Sequence, residues 1–304
     1  SSGRCALSFL PGGLSPPPAV AAPWGRCSVH ILSTDSLPGV VRRALSTASI
    51  GWSSSITFAT LGTAITTLVL VPGLNVLFTV LLGADLAAND TVRIGCATAL
   101  IATLSSVAAG IVARVATDRW IGVFEYVCTA RAVDAGYWLG AAAVPALLAS
   151  VTGLSNVGIV WLLSLTAPPT GAGSGLLLGA IALMPVAVLG GVCLGIFAAG
   201  LGLYLSDPYT GSNFLSIILP VSAGVIVPVS TYPAWLAWVC SWVPGSRLVQ
   251  ALDTSGGIVS GAAPDLFALL AVDTVLAGLY AAAGLGLTLL AARRIRAGAR
   301  ASLL

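Results

Sequence analysis

Lysine is absent from this 304-residue sequence, glutamate and histidine each occur once, and only 8% of the residues are charged. A soluble domain carries about 25% charged residues, so this chain cannot clothe a water-facing exterior on all sides. Without lysine it has no P-loop, whose Lys reaches the nucleotide phosphates, and it is expected to hydrolyse no ATP of its own. His30, alone, supplies no histidine triad and no histidine-based metal cluster. Cys5, Cys27, Cys96, Cys128, Cys193 and Cys240 contain no CxxC pair, which argues against a zinc framework or a thioredoxin-like redox site. A net charge of +3 is too small for nucleic-acid binding, which rests on many phosphate contacts. The expectation is a chain without a catalytic site, a metal or a cofactor of its own.

What is present is apolar: 57% of the residues, with a mean hydropathy of +1.01. This composition predicts an all-α integral membrane protein. Six segments are long and apolar enough to cross a hydrocarbon core about 30 Å thick; they lie near 58–82, 92–114, 135–163, 175–203, 212–230 and 265–292. The 72 uncharged residues between Asp134 and Asp207 exceed one helix, and the Pro168-Pro169 and Gly171 to Gly173 stretch supplies the break. Residues 1–37, with Pro16 to Pro18, read as a flexible tail, and Cys5 to Leu10 is too short for a signal-peptide core. From Pro38 to about Thr57, Arg42 and Arg43 alternate with Val40, Val41, Leu45, Ile50 and Trp52. That pattern suits a short amphipathic elbow helix lying along the membrane surface.

The membrane domain thus spans 38–292, followed by a basic tail over 293–304. An even number of spans puts both termini on one side. Eleven Arg fall on that side and two, Arg93 and Arg247, on the other, so the termini are expected to be cytoplasmic. Before the last span, Trp235, Trp238 and Trp242 recur at spacings of three and four, on one face of a short re-entrant or interfacial helix; anchoring and gating both fit it. Asp273 follows Asp265 by eight residues, about 12 Å of helix. It either faces a hydrated pathway or, if the span starts later, lies at the outer interface. Gly191 and Gly195 form a GxxxG pair, expected to serve packing within the chain.

Three features together resemble the six-span permeases of type-two ABC exporters, closest in pattern to bacterial multidrug or antibiotic export permeases. The first is the elbow helix leading into a span with mid-helix Pro72, in Val71-Pro72-Gly73-Leu74-Asn75. The second is the segment Asp118-Arg119-Trp120-Ile121-Gly122-Val123-Phe124-Glu125-Tyr126, which is similar to the family's Glu-Arg-x-x-Gly-Thr-x-Glu pattern. Asp118 stands for the family's Glu, Val123 for its Thr, and Arg131 follows where Pro is common. The third is the Pro-rich fifth span from Pro220 to Pro228, followed by Tyr232-Pro233-Ala234-Trp235-Leu236 and Pro244, which is similar to the family's Pro-x-Trp-Leu motif.

The resemblance implies a transport subunit of the bacterial plasma membrane that moves a hydrophobic or amphipathic molecule outward, a drug or natural product above all. Its partners would be two copies of a cytoplasmic ABC ATPase, which bind ATP and Mg, and a second permease, identical or related. Asp118, Arg119, Gly122 and Glu125 would form the segment that docks on the ATPase. Pro72, Asn75, Pro220, Pro228, Trp235, Trp238, Trp242 and Asp273 would belong to the pathway or its gate. Two other readings stand beside it: a secondary transporter or channel driven by an ion gradient, and a membrane-embedded lipid enzyme. No repeated halves with matching broken helices favour the former, and no cluster of polar residues at one membrane face favours the latter.

Overall fold

A computed structural model of the chain describes residues 39–53, 60–85, 91–129, 135–165, 173–255 and 265–296. The expected tail 1–37, Arg131, the Pro168-Pro169 break and the end of the basic tail, 297–304, lie outside the described residues. Every regular element among the described residues is helical. Among the described residues, five helices are long and apolar enough to cross a membrane: Leu61–Gly83, Thr91–Trp120, Ala135–Ser164, Gly173–Gly202 and Leu266–Ile295. The chain is a multi-pass membrane protein of all-helical build.

Helix α1 (Gly39–Ser53) lays a half-buried stripe of Ala44, Thr47, Ala48 and Gly51 along α6 (Ala135–Ser164) and exposes its remaining side chains. The first long helix comprises α2 (Leu61–Ile65), a π-helical turn (Thr66–Leu70) and α3 (Val71–Asp85). The π turn has a local cause. Pro72 has no N–H to return to the preceding turn, and its ring crowds the carbonyl four residues back; a wider turn absorbs both effects.

The hub is α4 (Thr91–Trp120), the most deeply buried of the five long helices. Helix α7 (Gly173–Gly202) runs parallel to it, with Gly191 beside Leu104 and Gly195 beside Ala108 and Ile111. A Cβ on Gly191 would fall 2.6 Å from the Leu104 carbonyl oxygen, so the GxxxG pair packs within the chain, and the missing side chains set the helix separation. Helix α6 crosses back antiparallel, with Gly95 against Val160, Gly153 against Thr103 and Gly110 against Pro145. Helix α11 (Leu266–Arg296) is parallel to α7, as the pairs Phe197–Tyr280, Gly200–Gly284 and Tyr204–Leu287 show.

Because α7 and α11 run the same way, the segment between them must carry the chain from one end of the bundle to the other. No single helix over 212–230, as expected from the sequence, does so. Helix α8 (Thr210–Ser222) has 13 residues, about 20 Å at 1.5 Å per residue and short of a ~30 Å core. It stops after Pro220. Gly224 then takes φ 69°, a conformation that L side chains resist, and Pro228 opens a single 3-10 turn (Val229–Thr231). Two short helices follow, α9 (Ala234–Ser241) and α10 (Ser246–Ser255).

Candidate functional site

Two adjoining cavities of about 580 and 400 Å³ lie along α4 and share Val71, Pro72, Ser106 and Thr152 in their linings. Helix α4 supplies Thr98, Ser105, Ser106, Arg114 and Thr117 to their floor. The hydroxyls of Thr98, Ser105 and Thr117 bond to carbonyls three or four residues back on their own helix, which lets them sit in an apolar bundle. The smaller cavity takes Pro72 and Asn75 from α3 and Pro220 from α8, three of the pathway residues expected from the sequence. One turn on, the Thr79 hydroxyl donates to the Asn75 backbone carbonyl at 2.8 Å. One turn beyond Thr152, Asn156 is fully buried, and its amide has no hydrogen-bond partner among the described residues.

At the Trp120 end of the bundle, the four expected docking residues separate into two pairs. Asp118 is 4% exposed, 3.3 Å from the Arg114 guanidinium and accepting a 3.0 Å hydrogen bond from the Tyr137 hydroxyl. Arg119 donates to the carbonyls of Gly202 and Leu205 at 2.9 and 3.1 Å. It thereby satisfies acceptors that the end of α7 leaves over and places a cation at that helix's negative end. Gly122 and Glu125 belong to the surface. Gly122, at φ 79° with nothing within 4 Å of a Cβ, turns the chain into α5 (Val123–Thr129), on which Glu125 is exposed. Around them Trp120, Ile121 and Tyr126 are 71%, 69% and 78% exposed. Phe124 and Cys128 point the other way and are buried.

At the Arg93 end, α9 and α10 form a hairpin whose tip, Gly245 at φ 98°, lies against Ile101 and Leu104, midway along α4. The hairpin therefore re-enters the bundle to about half its depth. Asp273 is 2% exposed and accepts the Gly245 N–H at 3.0 Å, so it pins the tip to α11 and lines neither cavity on α4. Tyr280 holds the same hairpin through the Trp242 carbonyl at 3.2 Å. Trp235, Trp238 and Trp242 are all exposed on its outer flank, the last two in edge-to-face contact with ring centres 6.0 Å apart. Pro228 is exposed ahead of the hairpin.

Sequence reasoning missed the bidentate ion pair between Arg93 and Asp253. Arg93 donates to both carboxylate oxygens of Asp253, at 2.6 and 2.8 Å, and to the Val225 carbonyl at 3.3 Å. The pair spans 160 residues, so no local spacing announces it. The Arg114–Asp118 pair is different, because its i,i+4 separation is a readable signal. No protein-family model matches the chain, and a search of curated proteins finds no match either.

Proposed function

We infer that the chain is the membrane-spanning subunit of an ATP-driven exporter, moving a hydrophobic or amphipathic molecule outward with ATP hydrolysed by a separate cytoplasmic subunit. The observation that carries this reading is the surface at the Trp120 end. With α4 centred in a hydrocarbon core, Trp120 stands about 22 Å from the midplane, beyond the ~15 Å half-thickness. Trp120, Ile121 and Tyr126 are therefore exposed where lipid tails do not cover them, and an apolar patch in such a place marks a protein interface. Glu125 lies within the patch, and Asp118 and Arg119 give it a rigid base. The chain has no lysine with which to power itself, and this patch offers a partner that could.

Three further features agree with the resemblance. Helix α1 fits the elbow ahead of the first span, Pro72 interrupts that span, and α8 with its following turn serves as a discontinuous crossing that brings the total to six. On this reading the arginine asymmetry favours a cytoplasmic Trp120 end with cytoplasmic termini, and the resemblance implies the plasma membrane of a bacterium. A second permease, identical or related, and two ATPase copies complete the assembly.

The test is purification of the chain from its native membrane with any bound ATPase, followed by substrate-stimulated ATP hydrolysis in vesicles. Glu125→Ala and Tyr126→Ala should insert normally yet lose stimulation. Transport that continues without an ATPase and stops when the ion gradient is collapsed would reject the reading in favour of a secondary transporter.

A further inference from the structure

The smaller cavity on α4 is lined by no charged side chain, so its polar chemistry rests on hydroxyls and the Asn75 amide. With α4 centred in a ~30 Å core, Ser105 and Ser106 sit at the midplane and Thr98 about 11 Å from it, toward the Arg93 end. The cavity therefore lies within the half of the bilayer on the Arg93 side. Four of its hydroxyls have committed their protons. Thr79, Thr98, Ser105 and Ser216 each donate to a carbonyl three or four residues back on their own helix, at 2.7–3.0 Å. A hydroxyl that has given its one proton can still accept. Pro220, having no N–H, also leaves the Ser216 carbonyl without its usual helical donor. The wall is thus rich in acceptors. Ser106 and Thr152 differ: they make no hydrogen bond among the described residues, although Thr152 is only 6% exposed. Their hydroxyls are able to give as well as to take.

The geometry points to a binding site in this cavity for an uncharged amphiphile that carries hydroxyl groups. Its O–H groups donate to the oxygens of Thr98, Ser105 and Ser216 and accept from Ser106 and Thr152, while its apolar part packs on Phe78, Leu82 and Ile101. An ether, which only accepts, would meet a wall of acceptors. A cation or an anion finds no opposite charge in the lining, and a charge at this depth is expensive. A volume of about 400 Å³ suits a drug-sized molecule held by a few polar groups. The inference rests on the exporter reading for the role of the site, where the bound molecule is the cargo.

The test uses the full chain in phosphatidylcholine nanodiscs with 1-O-decylglycerol bearing a diazirine on its chain, irradiated and mapped by peptide mass spectrometry. Labelling of Phe78, Ile101 and Val225 should saturate, whereas labelling of the exposed Leu279 on α11 should rise in proportion to probe. Plain 1-O-decylglycerol should displace the probe. Its 2,3-di-O-methyl ether, which has lost both donors, should need a roughly ten-fold higher mole fraction in the bilayer. Decylamine and decyl sulfate should not compete. Ala102→Trp, which fills the cavity, should remove the saturable labelling. Thr98→Val, which keeps the shape and deletes the acceptor, should weaken it about five-fold, and Thr274→Val on α11 should leave it unchanged.

The competition in the unaltered chain decides the matter without recourse to any variant. Labelling that never saturates, or that the dimethyl ether or either charged amphiphile displaces as readily as 1-O-decylglycerol does, overturns the inference. Equal labelling in Thr98→Val and the unaltered chain overturns the part assigned to that acceptor. The measurement requires no ATPase and no transport. A cavity that labels as stated in a chain that needs no ATPase rejects the exporter reading alone, and ATP-driven export with no saturable labelling rejects the site alone.

Discussion

Removing one partner of the Arg93–Asp253 pair should destabilise the chain more than almost any other single change at the Arg93 end. The two side chains are 8% and 16% exposed, and the pair joins the start of α4 to α10 and to the turn after α8 through Val225. Breaking a buried ion pair by deleting one partner costs about 3–5 kcal/mol, because the survivor stays buried and uncompensated. Asp253 keeps some contact with solvent, which places the loss at the lower end, about 3 kcal/mol. At roughly 2–4 °C per kcal/mol, Arg93→Ala or Asp253→Ala should lower the unfolding temperature by about 6–12 °C, read by intrinsic fluorescence in nanodiscs. The double variant Arg93→Met with Asp253→Leu replaces both charges by apolar side chains of similar bulk. It should recover most of the loss, since a packed apolar pair is often as stable as a buried ion pair. If both single variants melt within a degree of the unaltered chain, the pair is not the desolvated clamp described here. If the double variant melts as low as the singles, packing rather than charge is responsible.

Gly284→Ala should disrupt the α7–α11 contact, because its Cβ would lie 2.6 Å from the Ile196 carbonyl oxygen. Such overpacking costs about 1–3 kcal/mol, visible as a lower melting temperature, whereas Gly278→Ala, with nothing within 4 Å, should be silent. Asp273→Leu leaves the Gly245 N–H without its acceptor, a loss of about 1–3 kcal/mol. Asp273→Asn, which still offers an amide oxygen, should be milder in the same melt, and equal effects would refute the pinning role. Cys240 is buried, so it should label slowly even from the outside. Cysteines introduced at exposed Trp238 and Glu125 report orientation instead. The former should react in sealed cells and the latter only after permeabilisation; the reverse pattern would invert the topology.

The sequence by itself determined the solvent, the helical class and the positions of four of the long helices to within a few residues, because hydrocarbon demands unbroken apolar runs and internally satisfied backbone. It also placed a proline within the first span at Pro72, beside the π turn, since a missing N–H is a property of the residue and not of its surroundings. The tertiary structure decided the rest. The run over 212–230 is apolar enough to cross, yet Pro220, the positive φ of Gly224 and Pro228 divide it, and only packing on α4 and α7 shows where the chain goes next. Asp273 could not be placed from its number in the chain, because the feature that fixes its role is the tip of a hairpin 28 residues away. Asp118 and Arg119, expected in the docking segment, find partners that no local spacing announces: Tyr137 on α6, Gly202 at the end of α7 and Leu205 just beyond it. That left Gly122 and Glu125 on the surface. Local chemistry fixes which segments can enter a bilayer; which polar side chains remain available once they have entered depends on neighbours distant in sequence.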